Sequence, residues 1–189
     1  MRYLSIDFMR GLTIAFMLVV NTPGTWEFVY APLRHADWHG CTPTDLVFPS
    51  FMFIIGVSMW FSFEKFGRAL SGPVLKKILK RTAVLFFLGL LLAAFPIIGT
   101  DWGSLRIMGV LQRLALGYGL ASLLALVLPA RMLVAAAVAL LFGYWALLVA
   151  MAPAGQDPFS LMYNGVRQFD LAVLGPQHLW KGKGIPFDP

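Results

Sequence analysis

Five stretches of this chain approach the roughly 20 apolar residues that a helix needs to cross a bilayer. They cover residues 5–20, 43–63, 82–98, 107–128 and 132–151. Of the 189 residues, 59% are hydrophobic and 13% charged, about half the charge of an ordinary soluble domain. The surplus apolar surface therefore calls for lipid rather than a larger core. Unpaired backbone groups cannot face hydrocarbon, so the spanning segments must be helical. The expected fold is all-α: one membrane domain over residues 1–189, a polytopic bundle of about five transmembrane helices with a loop after the first. From Ala152 onward the chain is rich in Gly and Pro, which predicts an irregular tail with one short helix near residues 161–174. Phe187-Asp188-Pro189 brings no closing element, which suggests an N-terminal fragment of a longer protein.

Residues 5–20 do not read as a cleaved secretory signal. Asp7 and Arg10 interrupt the segment, and Asn21-Thr22-Pro23-Gly24 lacks a small-x-small cleavage site. The second segment carries a helix-start pattern, with Thr42 as N-cap, Pro43 at the first helical position and Asp45 three residues after the cap. Pro49 falls within that segment and predicts a kink. The next connection holds Lys65, Arg68, Lys76, Lys77, Lys80 and Arg81, whereas the loop after the first segment has one basic residue, Arg34. The positive-inside rule then puts the N-terminus in the cytoplasm and the His35 loop on the periplasmic side. The lone Cys41 cannot form an intrachain disulfide. The net charge of +6 is concentrated beside a membrane segment, without the groove or finger spacing of a nucleic-acid binder.

Chemistry concentrates in the first loop, Arg34-His35-Ala36-Asp37-Trp38-His39-Gly40-Cys41-Thr42-Pro43-Thr44-Asp45. His35 is the candidate base or nucleophile, because histidine alone titrates near neutrality without large perturbation. Asp37 or Asp45 could fix its tautomer. His39 lies one helical turn on, but no third or fourth ligand stands out and no metal site is expected. Trp38 offers a flat face for a sugar ring, or joins Trp26, Phe28 and Tyr30 in an interfacial belt. In the first segment Asp7, Arg10, Ile14, Met17 and Asn21 share a helix face. Asn21 can donate to a carbonyl oxygen as an oxyanion-hole group does, or simply end its helix. Gln112 and Arg113 lie inside the fourth segment. A guanidinium there costs roughly 2.5–3.5 kcal/mol on insertion scales, so Arg113 should meet Asp7, Asp45, Asp101 or a polar ligand.

In order along the chain, the stretches Ser5–Thr13, Val20-Asn21, His35–Gly40, Thr42–Pro49, Phe51–Gly56 and Arg106–Arg113 resemble the heparan-α-glucosaminide N-acetyltransferase family and its bacterial members. The resemblance covers about the first two thirds of the sequence. It implies a membrane enzyme of the bacterial inner membrane that moves acetyl from cytosolic acetyl-CoA to an amino sugar on the periplasmic side. It puts His35 and Asn21 at the catalytic positions. Asp7, Arg10, Trp38, His39, Asp45, Gln112 and Arg113 become candidate substrate-binding residues, with Arg10 a contact for CoA phosphates. His39 stands where the lysosomal member has Asn. Beyond acetyl-CoA and the glycan acceptor, the expected partners are the bilayer and a second copy in a homodimer. Two other readings stay open: an O-acetyltransferase of a cell-envelope glycan, and a non-catalytic transporter or assembly subunit.

Overall fold

The computed structural model describes residues 3–182 and 184–188. The chain forms two compact units, Met1–Arg68 and Ala69–Pro189. Among the described residues six α-helices occur in order: α1 (Leu4–Asn21), α2 (Val47–Glu64), α3 (Gly72–Ala93), α4 (Val110–Val127), α5 (Ala130–Met151) and the short α6 (Gly165–Val173). The one β-type pairing among the described residues is an isolated bridge between Trp180 and Phe187.

In the first unit α1 and α2 run antiparallel. The Tyr3 ring lies 4.4 Å from Phe61, and about two turns further along α1 Arg10 reaches Ser58. Thr13 sits buried along α1 and returns its hydroxyl to the Met9 carbonyl at 2.8 Å, so no polar donor is left stranded. The Thr42-Pro43 start signal does nucleate a helix, but a 3₁₀ one, over Pro43–Leu46. The α-helix proper begins at Val47. Pro49 therefore falls in the first turn of α2, where its missing N–H removes little. The winding changes from 3₁₀ to α between Leu46 and Val47, ahead of the proline where a kink was expected.

The second unit is organised by the seam between α3 and α4. Buried α4 residues Gln112, Ala115, Gly119, Ser122 and Leu126 recur at spacings of three and four and form one stripe. Glycines let the two backbones approach. A Cβ at Gly89 would lie 2.5 Å from Gln112 Oε1, and one at Gly119 would lie 2.9 Å from Thr82 Oγ1. The Arg81 guanidinium stacks 4.6 Å above the Tyr118 ring. Against the end of α5, Gly165 of α6 packs where a Cβ would lie 2.7 Å from Met151 Cβ.

Among the described residues four helices are long and apolar enough to cross a membrane: α1, α2 with its leading turn, α4 and α5. The expected third span, residues 82–98, needs correction. Its helix starts ten residues earlier, at Gly72, and stops at Ala93. Pro96 lies just beyond and disfavours helix in the residue before it. The first half of α3 carries Lys76, Lys77, Lys80 and Arg81, which takes it out of the apolar class. Its 22 residues nevertheless give a rod of about 33 Å, long enough to span with that basic half among headgroups.

The tail is more ordered than its composition suggests. Asn164 caps α6 by accepting from Arg167 N–H at 2.8 Å. His178 Nδ1 hydrogen-bonds to the Leu105 carbonyl at 2.7 Å, Arg167 Nε donates to the Pro186 carbonyl at 3.1 Å, and Trp180 and Phe187 meet edge-on at 5.1 Å.

The Gly89–Gln112 contact yields a test. Gly89→Ala should destabilise the protein by about 1–3 kcal/mol, the usual cost of overpacking. Adding Gln112→Ala should recover most of that loss, because it removes the colliding carboxamide. Thermal unfolding of the two single variants and the double variant in detergent measures the coupling.

Candidate functional site

The loop between α1 and α2 is built around one carboxylate. Asp45 Oδ1 lies 2.6 Å from His35 Nδ1. Its Oδ2 accepts from the N–H groups of Ala36 at 3.2 Å and Thr42 at 2.8 Å. The Thr42 hydroxyl is 2.9 Å from the same oxygen and 2.7 Å from the Arg34 carbonyl, so its single proton serves one or the other. Arg34 holds the earlier part of the loop by donating to the carbonyls of Val29 and Glu27. Buried Thr44 hydrogen-bonds to Pro32 O at 3.3 Å. The sequence left Asp37 and Asp45 as alternative partners for the imidazole; the geometry selects Asp45. With Nδ1 engaged, Nε2 is the ring nitrogen available for proton transfer, and the His35 side chain is 64% exposed.

Asn21 is the last residue of α1, and its side chain is exposed. One amide proton goes to the Met17 carbonyl at 2.9 Å, which closes the helix end and leaves the second proton for another acceptor. Among the described residues no hydrogen bond joins Asn21 to His35. Trp38 and His39 are exposed on the loop, as are Trp26, Phe28 and Tyr30.

At the opposite end of α1, Asp7 and Arg10 line a cleft of about 320 Å³ together with Tyr3, Ser58, Ser62 and Lys65. Arg10 bonds Asp7 Oδ1 at 3.2 Å and Ser58 Oγ at 2.8 Å. Ser58 in turn donates to the Ile54 carbonyl at 2.7 Å. Two basic side chains against one carboxylate, with the hydroxyls of Tyr3, Ser58 and Ser62, leave this open cleft net positive and suited to an anionic ligand. By contrast, the larger groove along α3, lined by Phe87, Leu91 and Trp102, is almost wholly apolar and has no group for chemistry.

Gln112 and Arg113 diverge around α4. Gln112 is 1% exposed, lies against Gly89 and Gly109, and leaves Nε2 without a hydrogen-bond acceptor. Arg113 meets Asp188 at 3.5 Å, an ion-pair partner outside the Asp7, Asp45 and Asp101 that the sequence offered. Asp101 instead caps the turn at Trp102 by accepting from Gly103 N–H at 3.0 Å. Arg106 also binds Asp188, donating Nε–H to Oδ1 at 2.8 Å. Burial raises the Asp170 carboxyl above its ordinary value, the nearby Asp188 charge adds to the rise, and Arg113 opposes it. Sequence reasoning missed Asp170, Asp188 and Ser58. The cost of placing Arg113 inside a membrane helix was the signal that a carboxylate must come from somewhere, but not that it lies in the tail.

Over residues 2–176 the chain matches the family described as heparan-alpha-glucosaminide N-acetyltransferase, catalytic, and it belongs to that family. It is 36% identical over 131 residues to the human heparan-alpha-glucosaminide N-acetyltransferase, covering 66% of this chain and 19% of that protein. With the mouse protein of the same name it shares 36% identity over 119 residues, covering 60% of this chain and 17% of that one. The chain thus spans about a fifth of the length of the curated relatives it matches.

The raised Asp170 carboxyl gives a pH prediction. A carboxyl raised on folding favours the native state most below its unfolded value, and that support fades as pH rises through its folded value. Asp170→Asn should therefore raise the melting temperature at neutral pH, with the gain shrinking under acid conditions. Melting curves across pH read both effects; an equal gain at every pH contradicts the assignment.

Proposed function

We propose that the chain carries the acetyl-transfer centre of a membrane N-acetyltransferase, which moves acetyl from cytosolic acetyl-CoA to an amino sugar on the periplasmic side of a bacterial inner membrane. The observation that carries this reading is the 2.6 Å His35–Asp45 contact, which fixes the ring so that Nε2 is presented to solution. In the proposed step the amino nitrogen attacks the thioester carbonyl. A C–N bond forms, the C–S bond breaks, and the amine proton passes to His35 Nε2 and on to the leaving sulfur. Asn21, through its second amide proton, is proposed to stabilise the tetrahedral oxyanion as it develops. Asp45 holds the imidazole and stabilises its protonated form.

The cleft containing Arg10 and Lys65 supports a role for that end of α1 and α2 in holding the CoA phosphates. A cytoplasmic position for it follows the excess of basic residues after α2. Trp38 and His39, exposed on the loop, are assigned to the sugar. Asp7 acts through its pairing with Arg10; Gln112, sealed in the α3–α4 seam, and Arg113, held on Asp188, are left out of this site.

His35→Ala in the full-length protein should abolish acetyl transfer while leaving the protein folded. Asp45→Asn should lower turnover by roughly a hundredfold or more through loss of ring orientation. Acetylation assays on paired amino and hydroxyl acceptors read the activity and separate N- from O-transfer. Full turnover in the His35 variant would refute the assignment. The exposed Cys41 thiol should react with a membrane-impermeant maleimide added outside intact cells. Labelling only after lysis would invert the proposed orientation.

A further inference from the structure

Arg106 and Arg113 converge on a single carboxylate oxygen, an arrangement that suits a different ligand better than the one it holds. Asp188 uses only Oδ1 for both guanidiniums. Its side chain is 1% exposed, yet Oδ2 is buried with no hydrogen-bond donor. A buried charged oxygen left unpaired carries the full cost of its lost hydration. The same carboxylate stands close enough to Asp170 for their charges to repel. The unpaired oxygen works against Asp188 remaining in place.

The arginines are not sealed in. Arg106 and Arg113 keep 30% and 33% of their side-chain surface open, so a solute can reach them. The frame around them does not depend on Asp188. His178 bonds to Leu105 O, Ile107 N–H donates to His178 O at 3.4 Å, and Arg167 holds Pro186 O. Once Asp188 swings out, both guanidiniums face the vacated position, with the Asp170 carboxyl near enough to interact with Arg113. A tetrahedral dianion can accept from both through separate oxygens.

We propose that Arg106 and Arg113 form a binding site for a soluble tetrahedral oxyanion, a sulfate or phosphate group, which the chain's own Asp188 occupies until such a ligand displaces it. The site lies in the unit that contains α3 to α6. Asp188 acts as an internal competitor, so its occupancy lowers the apparent affinity of the ligand by the fraction of time the fork is free.

The test uses the full-length protein in detergent with inorganic sulfate as probe, titrated by calorimetry against chloride at matched ionic strength. Asp188→Asn should bind sulfate about tenfold more tightly than the unaltered protein, as expected if Asp188 fills the fork roughly nine-tenths of the time. Adding Arg106→Gln or Arg113→Gln should abolish that gain. Equal affinity with and without Asp188, a gain that survives loss of either arginine, or binding of anionic lipid vesicles but not sulfate would each overturn the proposal. Should Asp188→Asn fail to fold, hydrogen exchange in the unaltered protein decides. Sulfate should then speed exchange of the amides at Trp180 and Phe187 as the tail is released, and unchanged exchange at saturating sulfate would overturn the proposal.

Discussion

The contact between Asp45 and His35 organises the functional half of the first unit. One oxygen orients the imidazole, while the other receives two backbone amides and lies within reach of a hydroxyl. The same carboxylate also opens the 3₁₀ turn that leads into α2, because its bond to Thr42 N–H is one half of a capping box. Helix start, loop closure and ring orientation thus share one group. The position of the histidine is thereby tied to a membrane-spanning helix rather than left to a free loop, which is the precision that proton transfer needs.

Polar groups elsewhere obey the same economy. Arg10 returns to Asp7 and Ser58 near one end of α1, and Asn21 returns to its own backbone at the other. Arg113 lies one turn inside α4, and its insertion cost is met by a carboxylate folded back from the tail. Gln112 is one exception, a carboxamide enclosed by Gly89 and Gly109 with its nitrogen unsatisfied, as Thr82 Oγ1 and Asp188 Oδ2 also are. That seam trades a buried hydrogen bond for close backbone approach, the pattern of small-residue packing between membrane helices.

Helices were legible in the sequence wherever hydrophobicity and length agreed. α1, α4 and α5 lie within three residues of the expected bounds at each end. α3 was misplaced because a hydropathy reading stops at Lys80-Arg81, whereas a helix does not: Lys and Arg are good helix formers, and Ser71-Gly72-Pro73 sets the true start. At the site, the sequence could name His35 and two candidate carboxylates, since both lie within ten residues. It could not choose between them, because the choice depends on how the 3₁₀ turn folds Asp45 back over the loop. Asp188 stayed hidden for a related reason. It is 82 residues from Arg106 and 75 from Arg113, and a Gly- and Pro-rich tail gives no periodic signal that it will return to α4.

The tautomer of His35 tests the central claim most directly. In the full-length protein labelled with nitrogen-15 histidine, the account predicts that neutral His35 carries its proton on Nδ1, with Nε2 bare. Asp45→Asn should abolish that preference. A neutral ring protonated at Nε2, or a tautomer balance indifferent to Asp45, would contradict the account.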